Sequence, residues 1–250
     1  MSDVVVFQMW RPFREKLIAN HLFYVEQSKS RLLSQFADIE GEADRYAKKW
    51  LEDHGHLFDP DRHEAGDFEQ QAYDESIAHY ELLCEMRDTT RLSIIAAMFH
   101  EWDKQLRDWL ARELQHVHTG TALTAAIWKV NFIDIIDLLE CLNWPVKSSK
   151  YFGSFDACRL IVNVYKHGLG SSFDDLKARH PQFLRGSTGS SAIHAWPIEY
   201  ADHTDLIVSD AHLEEFSNAI VAFWNDVPEN TFASAIKSVP GWLEKASKKP

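Results

Sequence analysis

Apolar residues recur at three- and four-residue intervals over most of this chain, and that spacing predicts helices. Leu17, Ile18, Leu22, Val25, Leu32, Phe36, Ile39 and Tyr46 mark one long helix over about 12–53. Pro12 sits in its first turn, and Gly41 weakens it locally. Ile77, Tyr80, Leu83, Leu92, Ile95, Met98, Phe99, Trp102, Leu106 and Trp109 mark a second, over about 68–115. Two helices of this length joined by a loop pair as an antiparallel hairpin. A third helix covers about 123–142 and stops at Asn143-Trp144-Pro145. A fourth covers about 154–167, with Gly168 as its left-handed C-terminal cap. Ser172 to Arg179 is a short helix, with Ser172 and Asp175 in an N-capping arrangement. A last helix runs over about 211–225.

Between the fourth and last helices the pattern lapses. Arg185-Gly-Ser-Thr-Gly-Ser-Ser191 reads as a flexible stretch. Ile198 to Ala201 and Leu206 to Ser209 read as a small hairpin. The class is therefore all-α: a four-helix-bundle-like core with two long antiparallel helices and a small irregular C-terminal part that ends in a helix. The domain boundary falls near residue 184. The helical bundle spans 1–184, and residues 185–250 form an extension. No internal repeat appears.

Composition agrees. The chain has 250 residues, 45% of them hydrophobic, with only 10 Gly and 8 Pro. That supplies a sizeable core and few helix breakers. The net charge of −12 argues against non-specific coating of nucleic acid, which needs a basic surface. Cys84, Cys141 and Cys158 are odd in number and far apart, so no disulfide framework is expected. With no signal pattern and no apolar run of membrane-spanning length, the expected compartment is the cytoplasm, with no membrane partner.

One segment carries chemistry: Arg159-Leu-Ile-Val-Asn163-Val-Tyr-Lys166-His167-Gly168. At about 100° per residue, with Arg159 as origin, Asn163 falls near 40°, Lys166 near −20° and His167 near 80°. Four polar side chains thus share one arc, and an apolar back fills the other side. An imidazole moves protons near neutrality, and a guanidinium clamps phosphate. Such a strip suits metal-free cleavage of an RNA phosphodiester. It is equally an amphipathic helix whose solvated face ends in cations that offset the helix dipole.

Asn163-Val-Tyr-Lys-His167 at the end of a bundle helix resembles the HEPN superfamily. The resemblance spans about residues 13–184, and its specific part is Arg159 to Gly168. It implies an all-α domain, often homodimeric, of bacterial defence or toxin–antitoxin type systems, directed at RNA, and in many members a metal-independent endoribonuclease. By this resemblance Arg159, Asn163 and His167 are the candidate catalytic residues. His167 is the acid/base, Arg159 the phosphate clamp, and Lys166 a substrate-binding residue. Val162 stands where the family pattern has an Arg before the Asn, and seven residues separate Arg159 from His167 instead of four to six.

Glu101, in Phe99-His100-Glu101-Trp102-Asp103, is a further candidate substrate-binding residue that would orient Arg159 or His167 from the second helix. Two alternatives stay open. One is a catalytically inactive interaction, immunity or regulatory protein with a protein partner. The other is a metal-dependent hydrolase using the ligand-rich loop Asp53-His54-Gly-His56-Leu-Phe-Asp59-Pro-Asp61-Arg-His63. No cofactor motif or other metal site is indicated. Gln115-His116-Val-His118 reads as a polar helix end.

Overall fold

The computed structural model describes residues 3–117, 121–185 and 197–247. His118 and all but Arg185 of the stretch to Ser191 lie outside them. The described chain is predominantly helical, with one two-stranded sheet, so the all-α class holds. Among the described residues no helix is long and apolar enough to cross a membrane. The chain divides into two compact units: 1–25 with 95–250, and 26–94.

In the first unit, strand β1 (Val5–Gln8) pairs antiparallel with β2 (Asn230–Phe232). Helix α1 (Arg11–Arg31) starts here, and the later part of α3 (Ala65–Val117) runs through it. The two are antiparallel. The Gln8 amide donates to Glu113 at 2.8 Å, and the Arg112 guanidinium lies 4.8 Å over the Phe13 ring. Further along, Asn20 and Tyr24 share a cleft with Gln105 and Met98. Then follow α4 (Thr121–Lys129), α5 (Phe132–Cys141), α6 (Phe152–His167), α7 (Ser171–Arg179), α8 (Asp210–Asp226) and α9 (Gly241–Ser247).

Trp102, 1% exposed, is the hub of the core. Its ring is 4.5 Å from Phe155 of α6 and 5.0 Å, edge-on, from Phe223 of α8. Tilted and edge-on packing of this kind adds to the large apolar burial of each ring. Beyond the Arg185–Ser191 stretch, α8 thus fills the same core as α3 and α6.

The second unit is a helical hairpin of α2 (Ile39–His54) against the first part of α3. Tyr46 stacks on His79 at 4.3 Å, and Trp50 meets Phe68 at 6.0 Å, so the two run antiparallel. The Asp67 carboxylate accepts from the Glu64 amide at 2.9 Å and caps the start of α3. From Asp67 to Val117 the sequence contains no Gly or Pro, and α3 continues unbroken.

Four sequence expectations are corrected. The helix expected over 12–53 is interrupted: α1 ends at Arg31, a 3₁₀ turn covers Leu33–Phe36, and α2 begins at Ile39. The Ser34 hydroxyl donates to the Ser30 carbonyl at 2.7 Å, the kind of local bond that competes with helix continuation. Gly41 is what admits the Asp38 carboxylate over the new helix start, because a Cβ there would lie 2.4 Å from it. The helix expected over 123–142 is two helices. Asn131 accepts from the Asp134 amide at 2.9 Å and Asp134 accepts in return from Asn131, a capping box that starts α5 afresh.

Ser172 and Asp175 do not cap α7, whose N-cap is Gly170. The Ser172 hydroxyl accepts from Asn163, and Asp175 accepts from Arg179. The expected hairpin after residue 197 is a pair of 3₁₀ turns, Ile198–Tyr200 and His203–Asp205. Leu206 forms a single bridge to Leu184 instead, because the short apolar runs of this segment are used to cover the core.

One buried imidazole links α1 to α8. His21 is 8% exposed, and its Nε2 lies 2.9 Å from the Ser217 hydroxyl. Burial pushes its pKa below the ordinary imidazole value, against the hydrogen bond to Ser217. At high pH the folded and unfolded chains both hold His21 neutral, and stability is full. As pH falls through the ordinary imidazole value, near 6.5, the unfolded chain protonates first. Stability is then lost until the folded imidazole also takes its proton. His21→Asn should flatten the fall of the urea midpoint below about pH 6.5. An unchanged pH slope in that variant would assign the acid sensitivity elsewhere.

Candidate functional site

Helix α6 presents its apolar back as expected. Phe155, Ala157, Cys158, Leu160, Ile161, Val162 and Val164 are buried, and burial drives the Cys158 thiol pKa upward, leaving it protonated and unreactive. Tyr165 of the same helix is 37% exposed. Gly168 ends the helix at φ 72° and ψ −132°, and its amide donates to the Val164 carbonyl at 2.8 Å. A left-handed φ is what selects glycine there.

The structure separates the four polar residues of α6 into two pairs. Arg159 and Asn163 are held inward. Arg159 Nη2 donates to Asp156 Oδ1 at 2.8 Å, with only 13% of the Arg159 side chain exposed and 7% of Asp156. The guanidinium also lies 5.8 Å over the Phe132 ring, and its Nε is buried without a hydrogen-bond partner. Asp156 Oδ2 accepts from Arg179 Nη1 and lies 3.3 Å from His180 Nε2, so one carboxylate gathers two guanidinium groups and an imidazole. Asn163 Nδ2 donates to the Ser172 hydroxyl at 3.3 Å. These bonds tie α6 to α7.

Lys166 and His167 are exposed at the other end of the helix. A further imidazole, His203, stands beside them. A Cβ on Gly168 would lie 3.5 Å from the His203 ring, which therefore packs over the helix end. His100 of α3 has its pKa lowered, first by partial burial and next by the charge of Lys166.

Glu101 does not reach back to hold Arg159. Its carboxylate accepts from Lys104 at 2.7 Å and from Gln105 at 3.1 Å, and the Lys104 hydrogen bond is the main cause of its lowered pKa. The carboxylate that orients Arg159 is Asp156, from one turn earlier on α6. Sequence reasoning passed over Asp156, Arg179, His180 and His203. Asp156 falls near 60° on the helical wheel, inside the same arc as the other four residues. Extending the wheel by one turn would have found it. Arg179 and His180 carried no local signal.

Around Glu101 lies a cleft of about 440 Å³ between α1 and α3. Met98 and Trp102, both buried, line it together with His21, and Asn20, Tyr24, His100, Lys104 and Gln105 stand around it.

The loop of potential metal ligands is engaged locally. His54 stacks on Trp50 at 4.2 Å and bonds the Trp50 carbonyl, and His63 accepts from the Asp59 amide at 3.1 Å. Among the described residues no three His, Cys, Asp or Glu side chains gather as a metal site. Searches of protein-family models, of curated proteins and of solved structures return no match to this chain.

Proposed function

We propose that this protein is a HEPN-like, RNA-directed protein that contacts RNA phosphate through the outer end of α6, without using Arg159 as a mobile clamp. The observation that carries this is the split of the α6 strip. Lys166 and His167 are exposed, and the His203 ring packs over the same helix end. Arg159 is spent on a buried carboxylate. A Lys supplies a point charge for phosphate, and an imidazole ring N–H can donate a hydrogen bond to it. A small local cationic patch on a chain of net charge −12 suits a specific contact better than non-specific coating. The homodimer of the family pattern belongs to this reading, because a two-fold axis beside α6 would double the patch.

A second reading, metal-independent endoribonuclease, is favoured by the exposure of His167, which leaves one imidazole able to exchange protons with a bound phosphodiester. One assay weighs both. Wild-type protein should shift labelled RNA in a chelator-containing buffer, and Lys166→Ala with His167→Ala should weaken that binding about tenfold or more, as for two lost phosphate contacts. Cleavage by the wild type that His167→Ala abolishes would establish the nuclease. No binding and no cleavage, with a stable protein partner recovered instead, would favour the interaction-protein alternative.

A further inference from the structure

The hairpin of α2 against the first part of α3 is closed along one side by the Tyr46–His79 and Trp50–Phe68 ring contacts. Turned about 100° round each helix from those rings lies a groove of about 280 Å³, lined over Glu40–Leu51 of α2 and Glu69–Tyr80 of α3. Each stretch is three helical turns, roughly 17 Å long. The floor is made of small side chains: Ala43 and Ala72 are buried, and Ala47 stands beside them. One wall is Tyr73, Ile77 and Tyr80, spaced four and then three residues along a single face of α3. These three large side chains stay 59%, 40% and 37% exposed, so the stripe has no covering layer within its own unit.

Charge decides what fits. Residues 26–94 carry 17 Asp and Glu against 8 Lys and Arg, which is −9 of the chain's −12. Glu40, Asp44 and Glu69 line the groove, and no Lys or Arg does. None of the three is in an ion pair among the described residues. Such a rim repels nucleic-acid phosphate and anionic lipid headgroups. A second copy of this chain would set the same acids against one another. The volume also falls below the range of about 300–1,000 Å³ common for small-ligand pockets.

We infer that this groove receives an amphipathic α-helix of a partner protein, with its apolar stripe seated between α2 and α3 and its flanking Lys or Arg paired with Glu40, Asp44 and Glu69. Helix-in-groove recognition uses anchors at i, i+3 or i+4, and i+7, a span that the three turns of the groove accommodate. Small floor residues admit the anchors, and the exposed phenol faces of Tyr73 and Tyr80 take up cations from the same helix. Nothing in this recognition depends on RNA contact at α6, since the groove lies wholly within the 26–94 unit.

Fluorescence anisotropy of labelled synthetic peptides with the full chain tests this. One peptide is a helix with Leu at the i, i+3, i+4 and i+7 positions and Lys on its flanks, and the other has Glu in place of every Lys. The Lys peptide should bind at least about tenfold more tightly than the Glu peptide, and should weaken as salt is raised. Tyr73→Ala and Ile77→Ser, both at exposed positions, should each weaken its binding about tenfold with the far-ultraviolet circular dichroism unchanged. Glu40→Gln with Asp44→Gln should remove most of the salt dependence. Failure of the Lys peptide to bind, equal affinity for the two peptides, or binding that the groove variants leave unchanged would overturn the assignment. So would a dimer, seen by sedimentation, that Ile77→Ser dissociates, because the groove would then belong to a second copy.

Discussion

Asp156→Asn should lower unfolding stability by about 3–5 kcal/mol, the range for removing one partner of a buried ion pair. The carboxylate is 7% exposed, and Arg159, its main partner, only 13%. Without the charge, the Arg159 guanidinium is left in a site where its Nε already lacks a partner and where the Phe132 face offers only weak compensation. Arg179 contributes less, because 45% of its side chain meets solvent and Asp175 holds it as well. The loss should appear as a lower urea midpoint with little change in slope. Replacing both partners, as Asp156→Leu with Arg159→Met, should recover most of it, since a buried pair adds little over apolar residues of similar size. A loss below about 1 kcal/mol for Asp156→Asn would place the cluster among solvent-screened surface pairs. It would also restore Arg159 as a residue able to turn toward a ligand.

The same cluster marks the limit of what the sequence discloses. Periodicity with few Gly and Pro was enough for the all-helical class, and Gly168 with its apolar approach was enough for the end of α6. Helix interruptions were harder. The apolar spacing continues in phase from Val25 through Leu32 and Phe36 to Ile39, so only the Ser30, Ser34 and Asp38 side chains reveal the break. Asn131 and Asp134 at capping-box spacing were visible before α5, but the dense apolar run around them outweighed that cue. The strand pair was out of reach, because β1 and β2 lie at opposite ends of the chain and are four and three residues long.

For the site, the wheel showed that Arg159, Asn163, Lys166 and His167 share a face. It does not show depth along that face. The packing of α7 covers the first half of the strip and leaves the second half open, and that decides which polar residues are ties and which are available. The cleft between α1 and α3 combines residues about eighty positions apart. No local motif announces such a cleft, although the side chains that line it were all in plain view.

Arg107→Leu should cost nearly as much as the loss of Asp156, about 3 kcal/mol or more, for a related reason. Arg107 is 7% exposed and reaches across to the end of α4. Its Nη1 donates to the carbonyls of Ile127 at 2.6 Å and Val130 at 2.9 Å, and its Nε donates to Asp103 at 2.8 Å. The last carbonyls of a helix have no partner within the helix, and here a side chain from α3 supplies one. The positive charge also faces the negative end of the α4 dipole. Leucine would leave two carbonyls and a carboxylate unserved, and Asp103 Oδ1 is already buried without a partner. Arg107→Lys should recover only part of the loss, because an ammonium cannot reproduce the fork that serves Asp103 and both carbonyls together. Amide exchange of α4 and of the Asn131 turn should accelerate in both variants ahead of the α3 core, since the residue acts as a local tie. If exchange instead rose evenly over the whole first unit, Arg107 would be a core residue whose loss unfolds the unit globally, and the α4 cap would not be its main role.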